Sequence, residues 1–399
     1  MNKYQATLFA NESDIYTALH SNKSKMAPKS LRKIGFDRGL IFSKKLEREE
    51  LVERLADLPF SYSHVENIQK KLDSKSNQEL YSVKRIFNGQ ADFGDFDIDE
   101  LHDVIEIVKQ NRPSMLGNEE IEHFGAIGMY TVSIEYTEFD FKRNKFQQRK
   151  LYGGEIRFIQ RKDYVSVRYT YTKRIKEILN KILKTYQEQT RSIIDVREID
   201  LSDIKDADLR NAFALNIYDF EHVHSSSSKF IYAGLEKVRV SKIRTILDDE
   251  EFIEVDEGEG DEFENDAKID DKENKTFIDN ASYDGKSLVN TSQIEDLCKD
   301  SFYRSQIKWK SKATFLPGNP VITFELAFDQ KYEATDLKFK IVSKETAGEP
   351  ETRVKLTDAE FDQVIYHLEK HIFVVNDFVS SEAEASYQPK SEPDKQEAS

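Results

Sequence analysis

Between Asp248 and Glu273 the chain carries fifteen acidic side chains opposed only by Lys268 and Lys272, a local charge of -13. No packed interior can enclose such a run, because each unpaired carboxylate would have to be desolvated or protonated. The stretch is therefore predicted to be a disordered, solvated insert over 248–275, with the fold assembled on either side of it. At 399 residues the chain is also longer than one ordinary core sustains.

Charge is segregated along the sequence. The formal net charge is -15, yet without the insert and the polar tail from Glu382 the remainder carries +1. The opposite extreme is Phe141 to Lys184, where fourteen bases face three acids for a local +11. Clustered charge of this kind makes local fields that a net value hides, so it speaks to partners rather than to fold. A single cysteine, Cys298, excludes an intramolecular disulfide framework, and eight histidines leave little material for a zinc cluster. The opening MNKYQATLFANESDIY lacks the apolar centre of a leader, and no apolar run approaches the roughly 18 residues that span a bilayer. The expectation is a cytoplasmic protein with no membrane partner.

Periodicity predicts an α+β fold. A small helical N-terminal module, 1–72, is read from Asp14 capping a turn with Ile15, Ala18 and Leu19, from Leu51, Leu55 and Leu58 before Pro59, and from His64 to Leu72. After a polar linker at 73–78, a first α+β domain is predicted over 79–247. In it Asp97 and Glu100 have capping-box spacing ahead of Leu101, Val104, Ile105 and Val108. Ile127 to Phe139 alternates as a half-buried strand, Gly153-Gly154 precedes strands at 155–161 and 164–172, and Arg174 to Gln187 returns to helical spacing. A strand is also expected within Phe230 to Ile246. A second α+β domain, 276–379, is predicted with a helix over Ser287 to Tyr303, strands at 306–314, 321–328 and 337–342, a turn at Pro317-Gly318-Asn319-Pro320 and a closing helix at 357–371. A disordered tail, 380–399, follows.

The basic segment supplies the first candidate site. With Ile156 and Phe158 inward alongside Val165, Val167 and Tyr169, the residues Arg157, Arg161 and Arg168 share the other face, and the preceding loop adds Lys142, Arg143, Lys145, Arg149 and Lys150. Separated cations suit a phosphate backbone, and Phe146, Tyr152 or Tyr164 could stack on bases. The competing reading is a solvated sheet face that balances acidic neighbours.

The second candidate is NKSKMAPKSLRKIGFDRGLIFSKKLEREELVERLADL, Asn22 to Leu58. A short helix, a basic extended stretch with Arg38-Gly39-Leu40, and the helix Glu50-Leu51-Val52-Glu53-Arg54-Leu55 follow one another. This order resembles the SAP family of helix-extended-helix modules, which bind DNA. The distance from Leu40 to Leu51 is about two residues longer than the family pattern, and its glycine before the lysine is absent. The resemblance implies that Arg32, Lys33, Arg38, Lys44 and Lys45 face phosphates; an ordinary helical hairpin with a wet basic loop is the alternative.

Signals for catalysis fail one by one. Asp92-Phe93-Gly94 has no glycine-rich loop, strand lysine or HRD segment to make it a kinase motif. Asp95, Asp97 and Asp99 are explained by helix capping, and His222 and His224 lack a third ligand. No acid followed by E-x-K can be placed for a nuclease, and the insert lacks the glycine and spacing of an EF-hand. The sequence thus predicts a non-catalytic nucleic-acid-binding protein, for DNA before RNA, without cofactor or metal and with protein partners in a larger DNA-processing or defence assembly. The rival expectation is an adaptor or inhibitor whose acidic insert imitates a phosphate backbone.

Overall fold

The computed structural model describes residues 10–23, 25–72, 80–89, 93–110, 119–139, 146, 149–219, 229–243, 280–284, 292–299, 301–346, 349–354 and 356–387. The acidic insert, His222 and His224, and residues 388–399 lie outside them. The chain separates into two compact units that interleave along the sequence: the first takes residues 1–77, 97–159 and 174–192, the second 78–96, 160–173 and 193–399. The 73–78 linker read from the sequence lies outside the described residues. The rest does not divide at the acidic insert, because strands from before it and after it build one unit.

In the first unit, α1 (Glu12–Ser21), α2 (Pro28–Phe36), α3 (Arg48–Ala56) and α4 (Tyr62–Leu72) form the N-terminal module. The start of α1 is set by Asn11, whose side chain accepts from the Asp14 N–H at 2.8 Å while Asp14 accepts from the Asn11 N–H at 3.1 Å. Asp14 is thus the third helical residue of a capping box rather than the cap itself. Pro28 opens α2, where its missing N–H costs nothing. Each helix turns one stripe inward, and Leu19, Leu31, Leu51, Leu55 and Ile68 meet in a shared core.

The strand β1 (Tyr81–Phe87) belongs to the second unit; the first resumes with a short 3-10 turn at Ile98–Glu100 and α5 (Leu101–Gln110). Asp97 caps that turn, its carboxylate accepting from the Asp99 N–H at 2.9 Å. Three antiparallel strands follow, β2 (Glu120–Ala126), β3 (Met129–Phe139) and β4 (Arg149–Gln160). Tyr130, Val132, Ile134 and Tyr136 are buried, as the alternation requires. Gly153 and Gly154 sit inside β4 opposite Glu135 and Ile134 instead of preceding it.

The second unit is an antiparallel sheet. Its members are β1, β5 (Tyr164–Thr170), β6 (Asp195–Glu198), β7 (Phe230–Lys242), β8 (Asn280–Asp284), β9 (Phe302–Ala313), β10 (Val321–Gln330), β11 (Thr335–Thr346) and β12 (Glu349–Val354). Their order is β5-β1-β11-β10-β9-β7-β8, with β6 beside β1 and β12 beside β11. Helix α6 (Lys173–Thr190) lies in the first unit but for its first residue, while α7 (Ala207–Tyr218), α8 (Ser292–Lys299) and α9 (Asp358–Tyr387) belong to the second. Ile307, Trp309, Phe324, Leu326 and Phe339 join Phe213, Val364 and Leu368 in its core. The opposite sheet face is a charge lattice, with Glu236 on Lys308 and Lys310 at 3.1 Å each and Glu325 on Lys340 at 3.1 Å.

Two boundaries differ from the sequence expectation. Phe302 and Tyr303, read as the end of a helix, begin β9. Helix α9 passes Ser380, where a tail was expected, because Val379 and Ala383 continue its buried stripe.

Candidate nucleic-acid interface

The N-terminal module builds a rigid basic tip between α2 and α3. Helix α2 ends on a pair of nested hydrogen bonds: the Leu40 N–H donates to the Gly35 carbonyl at 2.9 Å and the Gly39 N–H to the Phe36 carbonyl at 2.8 Å. This is the Schellman arrangement, and its left-handed position falls on Gly39 at φ +79, where a Cβ would be strained. The chain then passes Phe42, whose ring lies over Gly35, and turns at Lys44 and Lys45 before α3.

Arg32 fixes that turn. From α2 its Nε donates to the Ser43 carbonyl at 3.4 Å and its Nη2 to the carbonyls of Lys44 and Leu46 at 3.1 and 3.0 Å. Arg38 is held in turn, its guanidinium 4.2 Å over the Phe60 ring with Nη2 donating to the Pro59 carbonyl. On α3, Arg48 closes the end of α1 by donating to the carbonyls of Leu19 and His20 at 2.7 and 2.9 Å and to Met26 at 3.3 Å. These arginines spend their donors on backbone oxygens. Lys33, Lys44 and Lys45 are exposed. On α4, burial holds the Lys71 ammonium below its ordinary value, with Asp37 opposing and Lys33 adding to the shift.

The basic segment of the first unit is tied to this module by Phe146. Its ring, proposed from sequence as a base-stacking group, is fully buried among Leu19, Leu31, Leu51 and Leu55, so it anchors the chain and cannot stack. Lys142, Arg143 and Lys145 lie outside the described residues; Arg149 and Lys150 open β4, opposite Phe139 and Glu138. Arg157 is half-buried and paired with Glu155 at 2.8 Å. Tyr152 stacks on Tyr136 with ring centroids 5.2 Å apart.

Arg161 and Arg168 belong to the second unit, whereas Arg149, Lys150 and Arg157 belong to the first. Arg161 lies 4.6 Å over the Tyr366 ring and is partly exposed. Arg168 is a correction: its side chain is 3% exposed and pairs with Glu369 at 2.5 Å and Asp362 at 3.4 Å, both on α9. Those carboxylates keep the guanidinium above its ordinary value against strong desolvation. Helix α9 covers the face that a lone strand would have left wet. Tyr164 is likewise engaged, sandwiching the Arg85 guanidinium at 4.4 Å with Phe373 at 3.9 Å on the other side.

Sequence reasoning missed the exposed apolar side chains of the tip, Phe36 at 68%, Leu40 at 37% and Ile41 at 88%. Only their position in letters among Lys33, Arg38, Lys44 and Lys45 hinted at them. Among the described residues no group of three or more His, Cys, Asp or Glu is placed to hold a metal, and no helix is long and apolar enough to cross a membrane. Compared with known proteins, the chain matches no family model and no curated relative.

Proposed function

We propose that this chain is a cytoplasmic, non-catalytic DNA-binding protein that works as one component of a larger DNA-processing or defence assembly, and that the tip between α2 and α3 meets the phosphate backbone. The observation that carries the reading is the exposure of Lys33 on α2 and of Lys44 and Lys45 on a turn that Arg32 has already ordered. Cations on a pre-ordered loop lose little entropy on binding, and each released counterion contributes to affinity. In this reading Arg32 and Arg38 position the loop rather than touch phosphate. Arg157 and Arg161 contribute at most peripherally.

The test is a titration of the full chain against duplex DNA, single-stranded DNA and duplex RNA at several salt concentrations. Duplex DNA should bind most tightly at low salt, at the non-specific level of roughly 0.1 mM to 1 µM, and weaken steeply as salt rises. Binding that prefers single strands, or that ignores salt, counts against this reading.

A further inference from the structure

The Phe36 carbonyl accepts the inner of the two hydrogen bonds that end α2 and Ile41 follows Leu40, the donor of the outer one, and both side chains expose apolar surface to solvent. A buried position would reward such side chains, whereas here Phe36 is 68% and Ile41 88% exposed although the module has a core a few residues away. The backbone beneath them is unusually constrained for a loop: Gly39 in its left-handed turn, Phe42 packed on Gly35, and three carbonyls held by Arg32. Lys33, Lys44 and Lys45 are exposed nearby in the chain, and Asp37 and Glu47 are the acids between α2 and α3.

We propose that Phe36 and Ile41 form a wedge that enters a base step of duplex DNA from the minor groove while the surrounding lysines hold the flanking phosphates. The proposal rests on the DNA-binding reading above and adds a consequence that reading lacks, a local kink. Two features favour a duplex over a lipid surface. The apolar group is narrow, the side chains of Phe36, Leu40 and Ile41 at one turn, where an interfacial helix presents a long stripe. It also sits on a fixed, positively charged mount, which suits an apolar wedge between base steps that bends the duplex by roughly 20–90°. Because the cost of unstacking offsets the burial of the two apolar side chains, the wedge should change the shape of the DNA more than its affinity.

The experiment uses the full chain and a duplex of about 20 base pairs, short against the persistence length of roughly 150. The duplex carries end-to-end fluorophores and, in a second preparation, 2-aminopurine at a central TA step. The parent should bring the ends closer and raise 2-aminopurine fluorescence. Phe36→Ser with Ile41→Ser, both at exposed positions, should still bind within about tenfold of the parent, a difference of about 1.4 kcal/mol. That variant should leave the duplex straight and stacked. Lys44→Ala with Lys45→Ala should weaken binding but distort the DNA normally once saturated. Parent binding without distortion, or equal distortion by the serine variant, overturns the wedge and leaves the DNA-binding reading standing. Absence of duplex binding at low salt removes both. Vesicles of phosphatidylcholine with phosphatidylserine form the last arm: Ile41-dependent capture by them, without DNA distortion by the parent, overturns the wedge and assigns the pair to a lipid surface.

Discussion

The Phe42 ring lies against Gly35 so closely that a Cβ built on the glycine would stand 2.4 Å from ring atom Cε2. The absence of a side chain on α2 therefore lets the chain fold back after Gly39, and this contact fixes where the basic tip points. Replacing Gly35 by Ala in a helix would ordinarily gain about 0.8–1.0 kcal/mol. Overpacking against an aromatic ring costs about 1–3 kcal/mol. Gly35→Ala should consequently lower stability by up to about 2 kcal/mol, read as a lower urea midpoint, and Phe42→Leu in the same chain should recover much of the loss. A midpoint raised by Gly35→Ala alone would show that the ring moves freely.

Arg32 and Lys33 are neighbours with different expected roles, and salt separates them. Arg32→Met removes three hydrogen bonds to the loop and should weaken DNA binding without changing the salt slope, since no phosphate contact is lost. Lys33→Ala should weaken binding and reduce the slope by about 0.9. Equal slope changes would place both side chains on the backbone of the ligand.

The buried pair of Arg168 and Glu369 makes charge reversal there a folding experiment. Glu369→Gln leaves a desolvated guanidinium with only Asp362, itself largely exposed, and should cost about 3–5 kcal/mol in urea denaturation. Arg168→Met combined with Glu369→Leu should restore most of that loss. Arg161→Glu, at a partly exposed site over Tyr366, should leave stability within about 0.5 kcal/mol of the parent.

Glu106 gives the fold one readable acid dependence. Its carboxylate accepts from Lys109 at 2.6 Å and sits 2.8 Å from His123 Nε2, and these partners lower its pKa to about 2. An unfolded glutamate titrates near about 4.3, so the folded state binds its proton later and gains stability above that pH. The gain should fade as pH falls from about 4.3 toward 2. Comparing urea midpoints of the parent and Glu106→Gln should show a gap at pH 6 that closes by about pH 2. A gap independent of pH would mean that the amide acts by packing alone.

The alternation of Tyr130, Val132, Ile134 and Tyr136 was legible because one face of β3 is buried and the other is not. The strand β1 was not legible. Its Lys84 and Arg85 are both buried, Lys84 paired with Glu198 at 2.7 Å and Arg85 set over the rings of Tyr164 and Phe373. Those partners lie far along the chain, and no local pattern announces them. The same holds for Arg168 under α9 and for α7, whose Arg210 is buried by donating to the carbonyls of Ile204 and Tyr332. At the candidate site the lysines were readable as charge, whereas the exposure of Phe36 and Ile41 is a tertiary property that no local pattern announces. Phe146 failed in the opposite direction, a surface letter by context that the helical core absorbs.

The claim that the basic tip binds duplex DNA is tested most directly by the salt dependence of one variant. Lys33, Lys44 and Lys45 are exposed and can be changed to Ala together with little expected effect on folding. Affinities of the parent and this triple variant for a duplex, measured between about 50 and 200 mM salt, give two slopes of log affinity against log salt. The account predicts a weaker variant whose slope is smaller by about 2.7, or 0.9 for each lost phosphate contact. A folded triple variant with the parent's affinity and slope would contradict it.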